Sequence, residues 1–96
     1  MLTIDERRNF YRMMVDALVS LRVAQEAPMH GKCLDLSATG MGVLVSDPLE
    51  LGTLVDATLE SADRLVPPLQ AQARVVRCAA QGDGSWQIGL EIIEMR

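Results

Sequence analysis

Residues 32–45, Lys-Cys-Leu-Asp-Leu-Ser-Ala-Thr-Gly-Met-Gly-Val-Leu-Val, predict two short β-strands, 32–36 and 41–45, joined by a tight polar turn. Side chains alternate between the faces of a strand, so we expect Asp35 and Ser37 to point the same way. A carboxylate and a hydroxyl would then stand side by side where the chain reverses.

Gly40 and Gly42 complete this turn. A residue without a Cβ atom permits either a positive φ or the close approach of a ligand to the backbone. Two interpretations stay open for the polar pair. The side chains of Asp35 and Ser37 bond the backbone of their own turn, or they contact a ligand.

The rest of the chain shows the same period-two alternation of apolar and polar residues, which is typical of half-buried strands. Pro28 and Gly31 predict a turn over 26–31, and the glycines of 81–84 predict a tight hairpin. No segment predicts a long helix, so the fold class is all-β, a barrel or a sandwich. The expected strands are 15–25, 32–36, 41–45, 54–60, 69–79 and 85–95.

The chain has 96 residues, 49% of them hydrophobic, which is enough for one folded domain with one core. A net charge of −4 argues against binding to long DNA or RNA. Cys33 and Cys78 lack the spacing of metal ligands, so no metal site is expected. No apolar segment follows Met1 and no run reaches membrane-spanning length, which predicts a cytoplasmic protein without membrane insertion.

Several other polar residues show no arrangement that indicates an enzyme. His30 has no nucleophile or metal partner nearby in the sequence, and we expect a solvated loop histidine. Trp86 falls on the apolar face of its strand and is expected in the core. Arg74 and Arg77 could face a ligand, although exposed strand charges are the simpler interpretation.

Residues 1–14 differ from the rest, because they are dense in charge and show no strand alternation. We interpret them as an N-terminal arm that carries Arg7, Arg8 and Arg12, followed by a barrel domain over 15–96. On an otherwise acidic chain, such a cluster can attract one small anion. The adjacent rings at positions 10 and 11 are expected to pin the arm to the body.

The spacing Arg8-x-x-x-Arg12, followed later by Asp35-x-Ser37-x-x-Gly40, resembles the PilZ domain family of bacteria. The resemblance covers nearly the whole chain. It implies a six-stranded antiparallel β-barrel and a cytoplasmic receptor for cyclic di-GMP, with no cofactor.

Arginine forks match phosphate or the O6/N7 edge of guanine, and a carboxylate matches the opposite, donor edge. In this interpretation Ser37 bonds a phosphate or a base, Gly40 leaves room for the ligand, and Arg7 engages a second stacked ligand molecule. We expect the arm to be flexible without ligand and ordered with it. The expected ligand-binding residues are Arg7, Arg8, Arg12, Asp35, Ser37 and Gly40.

Many PilZ domains add a helix after the last strand, but this sequence stops at 94–96, so we expect little or no such helix. The apolar patch left uncovered is then available to an effector protein or to a second copy of the chain in a homodimer. Two other functions remain open. One is a PilZ-like interaction module without nucleotide, and the other is a small barrel for single-stranded nucleic acid, which would need more exposed aromatics.

Overall fold

The computed structural model of the protein describes residues 13–60 and 68–96, which form six strands and no helix. The sequence-based prediction of an all-β fold is therefore confirmed. Met13 and Met14, predicted as the end of the arm, begin the first strand, and the rest of that segment lies outside the described residues. The strands are β1 (Met13–Arg22), β2 (Met29–Leu36), β3 (Gly40–Val45), β4 (Leu54–Leu59), β5 (Leu69–Ala80) and β6 (Trp86–Met95).

The strands close into an antiparallel barrel in the order β1-β2-β3-β6-β5-β4. Each half is a meander of three consecutive strands, and the halves join where β3 pairs with β6 and where β1 pairs with β4. Closure gives every strand two partners, so none is left with a row of unpaired backbone groups. The described residues include no helix long and apolar enough to span a membrane.

The inner face of the barrel is aliphatic, as the alternation predicted. Val43 and Ile88, paired across β3 and β6, are completely buried. Burial of one such side chain contributes roughly 1.5–3 kcal/mol. Trp86 packs against the edge of this core, again as predicted. The buried cluster comprises Val19, Leu21, Cys33, Met41, Val43, Val45, Val55, Ala57, Ala73, Val75, Ile88 and Leu90.

The prediction of a turn over 26–31 is wrong in its second half, because β2 already begins at Met29. The reversal lies earlier, where Ala24 adopts a φ of 52°. Gly31 is a strand residue, and a Cβ atom there would overlap the carbonyl oxygen of Leu44 on β3. Position 31 is a glycine because two strands approach each other closely there, and not because the chain turns.

Four register shifts interrupt the alternation within the described residues, and two of them precede a charged side chain. One lies in β2 between Cys33 and Asp35, and another in β5 between Val75 and Arg77. A bulge inserts an extra residue, so the side chains that follow it exchange faces. Cys33 and Val75 point into the core, whereas Asp35 and Arg77, two positions later, point outward.

Cys33 supports the β2 bulge from inside the barrel. Its side chain is fully buried, and its thiol donates a hydrogen bond to the Asp35 carbonyl oxygen at 3.2 Å. Burial, together with the negative charge of Asp35, raises the pKa of the Cys33 thiol from 9.0 to about 11. The thiol is therefore protonated at neutral pH and inert as a nucleophile.

This raised pKa predicts a loss of stability in alkali. The unfolded chain loses the thiol proton near pH 9.0 and the folded chain only near pH 11, so stability is full below pH 9.0 and falls between these values. Denaturant unfolding across this range should show a decline of up to about 1.4 kcal/mol per pH unit. The decline should be smaller in Cys33→Ala, and equal slopes in the two proteins would contradict the assignment.

Candidate ligand-binding site

Asp35 lies near the end of β2 with its carboxylate on the outer surface of the barrel. Its Oδ1 accepts a hydrogen bond from the Gly42 amide of β3 at 3.1 Å. The next residue, Leu36, packs against the core, so the two side chains take opposite faces as predicted. Asp35 is thus held half-buried in a fixed orientation on the outer surface.

Gly42 makes this orientation possible. A Cβ atom at position 42 would lie 3.1 Å from Asp35 Oδ2 and 3.2 Å from Oδ1. That is tighter than ordinary van der Waals contact, so a side chain here would push the carboxylate away from β3. Because Gly42 has no side chain, the Asp35 carboxylate can lie close to the backbone of β3.

Ser37 follows β2 and shapes the turn. Its amide donates to the Gly40 carbonyl oxygen at 2.8 Å, and its hydroxyl lies 3.3 Å from the same oxygen. The Thr39 amide in turn donates to Ser37 Oγ at 3.4 Å. The residue is buried, whereas Thr39 is exposed. The first of the two open interpretations, a polar side chain bonded to its own turn, therefore describes Ser37 in this structure.

Gly40 starts β3 and is required by the neighbouring strand. A Cβ atom at position 40 would lie 2.6 Å from the Leu90 carbonyl oxygen of β6. Neither Gly40 nor Gly42 is among the described glycines with positive φ, which are Gly52, Gly82 and Gly84. Positive φ is therefore not the reason for either glycine, and the groups that lie close to them in this structure belong to the protein itself.

The structure thus brings together the three predicted site residues of the turn, Asp35, Ser37 and Gly40, at one end of the β2–β3 hairpin. The other three, Arg7, Arg8 and Arg12, lie outside the described residues. Their place beside the turn stays a prediction.

Arg77 of β5 lies close to a glycine of the neighbouring strand, a contact that alternation alone did not predict. It is exposed, as expected, but its side chain folds over Gly89 of β6. A Cβ atom at position 89 would lie 3.2 Å from Arg77 Cβ and 3.4 Å from both Nε and Nη2. The sequence signal for this contact is Gly89. A glycine in the middle of an apolar strand indicates the close approach of another group.

Arg74, the other arginine on the outer face of β5, has an ionic partner. Its Nη1 lies 3.5 Å from Glu91 Oε1, and both side chains are about half exposed. A pair of this kind contributes about 0–1 kcal/mol. Within 13–60 and 68–96, no cluster of three or more histidine, cysteine or acidic side chains could hold a metal ion.

Comparison with known proteins agrees with the fold. The sequence model of the PilZ domain matches residues 6–96. The chain belongs to the PilZ domain family. PilZ domains are receptor modules that bind cyclic di-GMP and are not enzymes. No curated protein matches the sequence.

Three solved structures show the similarity of this PilZ domain to known folds. The inhibitor of motility MotI/DgrA from Bacillus subtilis has a TM-score of 0.76 at 18% identity, covering 94% of this chain and 44% of that one. The PilZ domain of YcgR from Escherichia coli, solved with c-di-GMP, gives 0.68 at 15% identity, covering 91% and 78%. The PilZ domain of CeSA from a cellulose-synthesizing bacterium gives 0.64 at 25% identity, covering 88% and 82%. This chain thus spans less than half of the Bacillus protein.

The two turn glycines should respond differently to substitution. In Gly40→Ala the new Cβ meets a backbone carbonyl that cannot rotate away, so we expect a loss of about 1–3 kcal/mol of stability. In Gly42→Ala it meets a side-chain carboxylate that can rotate, and the loss should stay below about 1 kcal/mol. Denaturant unfolding of both variants measures the difference. Equal unfolding midpoints would show that the Leu90 carbonyl does not restrict position 40.

Proposed function

We propose that this PilZ domain is a bacterial receptor that binds cyclic di-GMP between its N-terminal arginine segment and the turn at Asp35, Ser37 and Gly40. The observation that carries the proposal is the Asp35 carboxylate, held on the outer surface by the Gly42 amide at 3.1 Å. The cytoplasmic location expected from the sequence is part of the same proposal.

Asp35 suits the recognition of guanine. The N1–H and exocyclic amine of guanine are adjacent donors, and an ionised carboxylate accepts both. The charge-assisted bonds that result are stronger than bonds between neutral groups. Because the Gly42 amide fixes the carboxylate before ligand arrives, little side-chain entropy is lost on binding.

Ser37 contributes to this site through the shape of the turn. Its hydrogen bonds at 3.3 Å and 3.4 Å are longer than the usual range and are correspondingly weak. A phosphate oxygen is a stronger acceptor than a carbonyl, so the hydroxyl could exchange the Gly40 carbonyl for the ligand at small cost. Gly40 then acts by allowing the turn to sit against β6.

The arginine segment would supply the positive charge. Arg8 and Arg12 can each bond a phosphate or the O6/N7 edge of guanine in bidentate fashion, which lysine cannot copy. Arg7 precedes this pair and would reach a second, stacked molecule of the ligand. The chain as a whole has a net charge of −4, so an anion would be attracted mainly to the place where these arginines lie.

The signal would pass to another protein. The described part of the chain is a β-barrel. An effector protein would therefore recognise a change at the surface of this barrel. We propose that residues 1–12 become ordered over the turn when the arginines bind the nucleotide. Ordering costs roughly 1–2 kcal/mol per residue, and several charge-assisted bonds of about 1.5–3 kcal/mol each would offset it.

Calorimetric titration with cyclic di-GMP tests the receptor function. Wild type should bind saturably, and Arg8→Ala/Arg12→Ala should bind at least about 100-fold more weakly, because two charge-assisted contacts are lost. GTP should not compete. The matched control is Arg22→Ala/Arg96→Ala, which removes the same charge from exposed residues remote from the turn.

Equal weakening in the control pair would reduce the role of Arg8 and Arg12 to overall charge. A folded wild type that fails to bind would overturn the receptor function and favour the interaction module without nucleotide.

Hydrogen exchange tests the proposed ordering. Amides of residues 1–12 should exchange at least several-fold more slowly with saturating cyclic di-GMP than without it, because bound arginines hold the backbone against the barrel. The β4 amides serve as an internal control that ligand should leave unchanged. Exchange of the segment at the same rate in both conditions would mean that the signal is transmitted in another way.

A further inference from the structure

Cys33 lies directly before the irregular part of β2 that presents Asp35. It pairs with Ala17 of β1 and with Val43 of β3, and its side chain is fully buried in the core. Asp35, two positions later, is half-buried on the outer surface of the barrel. One short segment of β2 thus places a thiol inside the barrel wall and a carboxylate outside it.

The sheet register shifts on both sides of this segment. Between Cys33 and Asp35, β2 has an extra residue relative to β3. At the same level β1 has an extra residue relative to β2, between Met14 and Ala17. Leu34 accordingly has no directly paired residue on either neighbour within the described strands. Because a bulge disrupts the local ladder of backbone hydrogen bonds, the ladder alone fixes Asp35 less firmly than a regular strand residue.

The Cys33 thiol supplies a bond that the ladder does not. It donates from the core side to the Asp35 carbonyl oxygen at 3.2 Å. The Gly42 amide donates to Asp35 Oδ1 at 3.1 Å, so the residue is held both at its main chain and at its carboxylate. Burial raises the pKa of the thiol to about 11, so it stays protonated and able to donate at neutral pH.

We infer that Cys33 is a positioning residue of the ligand site, whose buried thiol holds the backbone of Asp35 in the orientation that ligand binding needs. Groups that recognise a ligand depend on supporting residues that lock their position. Cys33 itself does not contact the ligand, because it lies inside the barrel. The inference rests on the proposed function, since it names a residue through which the core controls the same site.

Cysteine combines two properties that position 33 needs. Its side chain packs as a small apolar group among aliphatic residues, and its thiol is also a weak hydrogen-bond donor. Serine keeps a donor of similar size but buries a more polar group, which costs stability. Alanine stays apolar and loses the donor. The two substitutions therefore separate the hydrogen bond to Asp35 from packing in the core.

Calorimetric titration of these two variants with cyclic di-GMP tests the inference. Cys33→Ala should bind about 3- to 10-fold more weakly than wild type, the equivalent of one neutral hydrogen bond. Cys33→Ser should bind within about two-fold of wild type, because it keeps the donor, although its unfolding midpoint should be lower. Cys78→Ala is the matched control, since it removes a thiol that packs against the core from β5, and it should bind as wild type does.

A double-mutant cycle shows whether Cys33 acts through Asp35. In an Asp35→Ala background, Cys33→Ala should cause no further loss of affinity, because the carboxylate that the thiol positions is gone. A general structural role of Cys33 would produce the same loss in both backgrounds. Fully additive losses would therefore overturn the inference.

The outcomes separate this inference from the proposed function. Wild-type affinity in Cys33→Ala overturns the role of Cys33 and leaves the receptor function standing. An equal loss in Cys33→Ala and Cys33→Ser assigns the effect to packing and also overturns the inference. No binding by a folded wild type overturns both proposals. If Cys33→Ala does not fold, Cys33→Val replaces it, since valine fills the core and also lacks a donor, and unchanged affinity would refute the inference.

Discussion

The pairing of β3 with β6 joins the two three-stranded halves of this barrel. The glycines of these two strands determine which groups can lie close to the backbone at this junction. Gly40 lets the Leu90 carbonyl approach, and Gly42 and Gly89 let the side chains of Asp35 and Arg77 lie close to the backbone. The inner face of the same strands carries the fully buried Val43 and Ile88. One pair of strands thus contributes both to the centre of the core and to the packing beneath Asp35 and Arg77.

The strand pattern could be predicted from the sequence because one face of nearly every strand is buried in the core. Alternation along 41–45 and 85–95 placed Met41, Val43, Ile88 and Leu90 in the core, where they are found. The start of β2 could not be predicted in this way. Gly31 was interpreted as a turn residue, whereas the close approach of the Leu44 carbonyl is the reason for the glycine, and that contact is distant in sequence.

The site was predicted only in part for the same reason. The short sequence pattern identified Asp35, Ser37 and Gly40, but it could not show that Ser37 bonds its own turn or that Gly40 accommodates β6. Arg77 was assigned to the exposed face as a simple surface charge. The position of its side chain over Gly89 depends on a bulge and on the strand register. Neither can be obtained from alternation alone.

Close packing of side chains against the backbone also affects which sequence changes such a domain tolerates. Backbone atoms are the same in every sequence, so the close packing over Gly42 and Gly89 asks only that these two positions stay free of side chains. The charged side chains that lie over them, Asp35 and Arg77, belong to β2 and β5. The barrel can therefore accept many side-chain changes elsewhere in these strands without disturbing this packing.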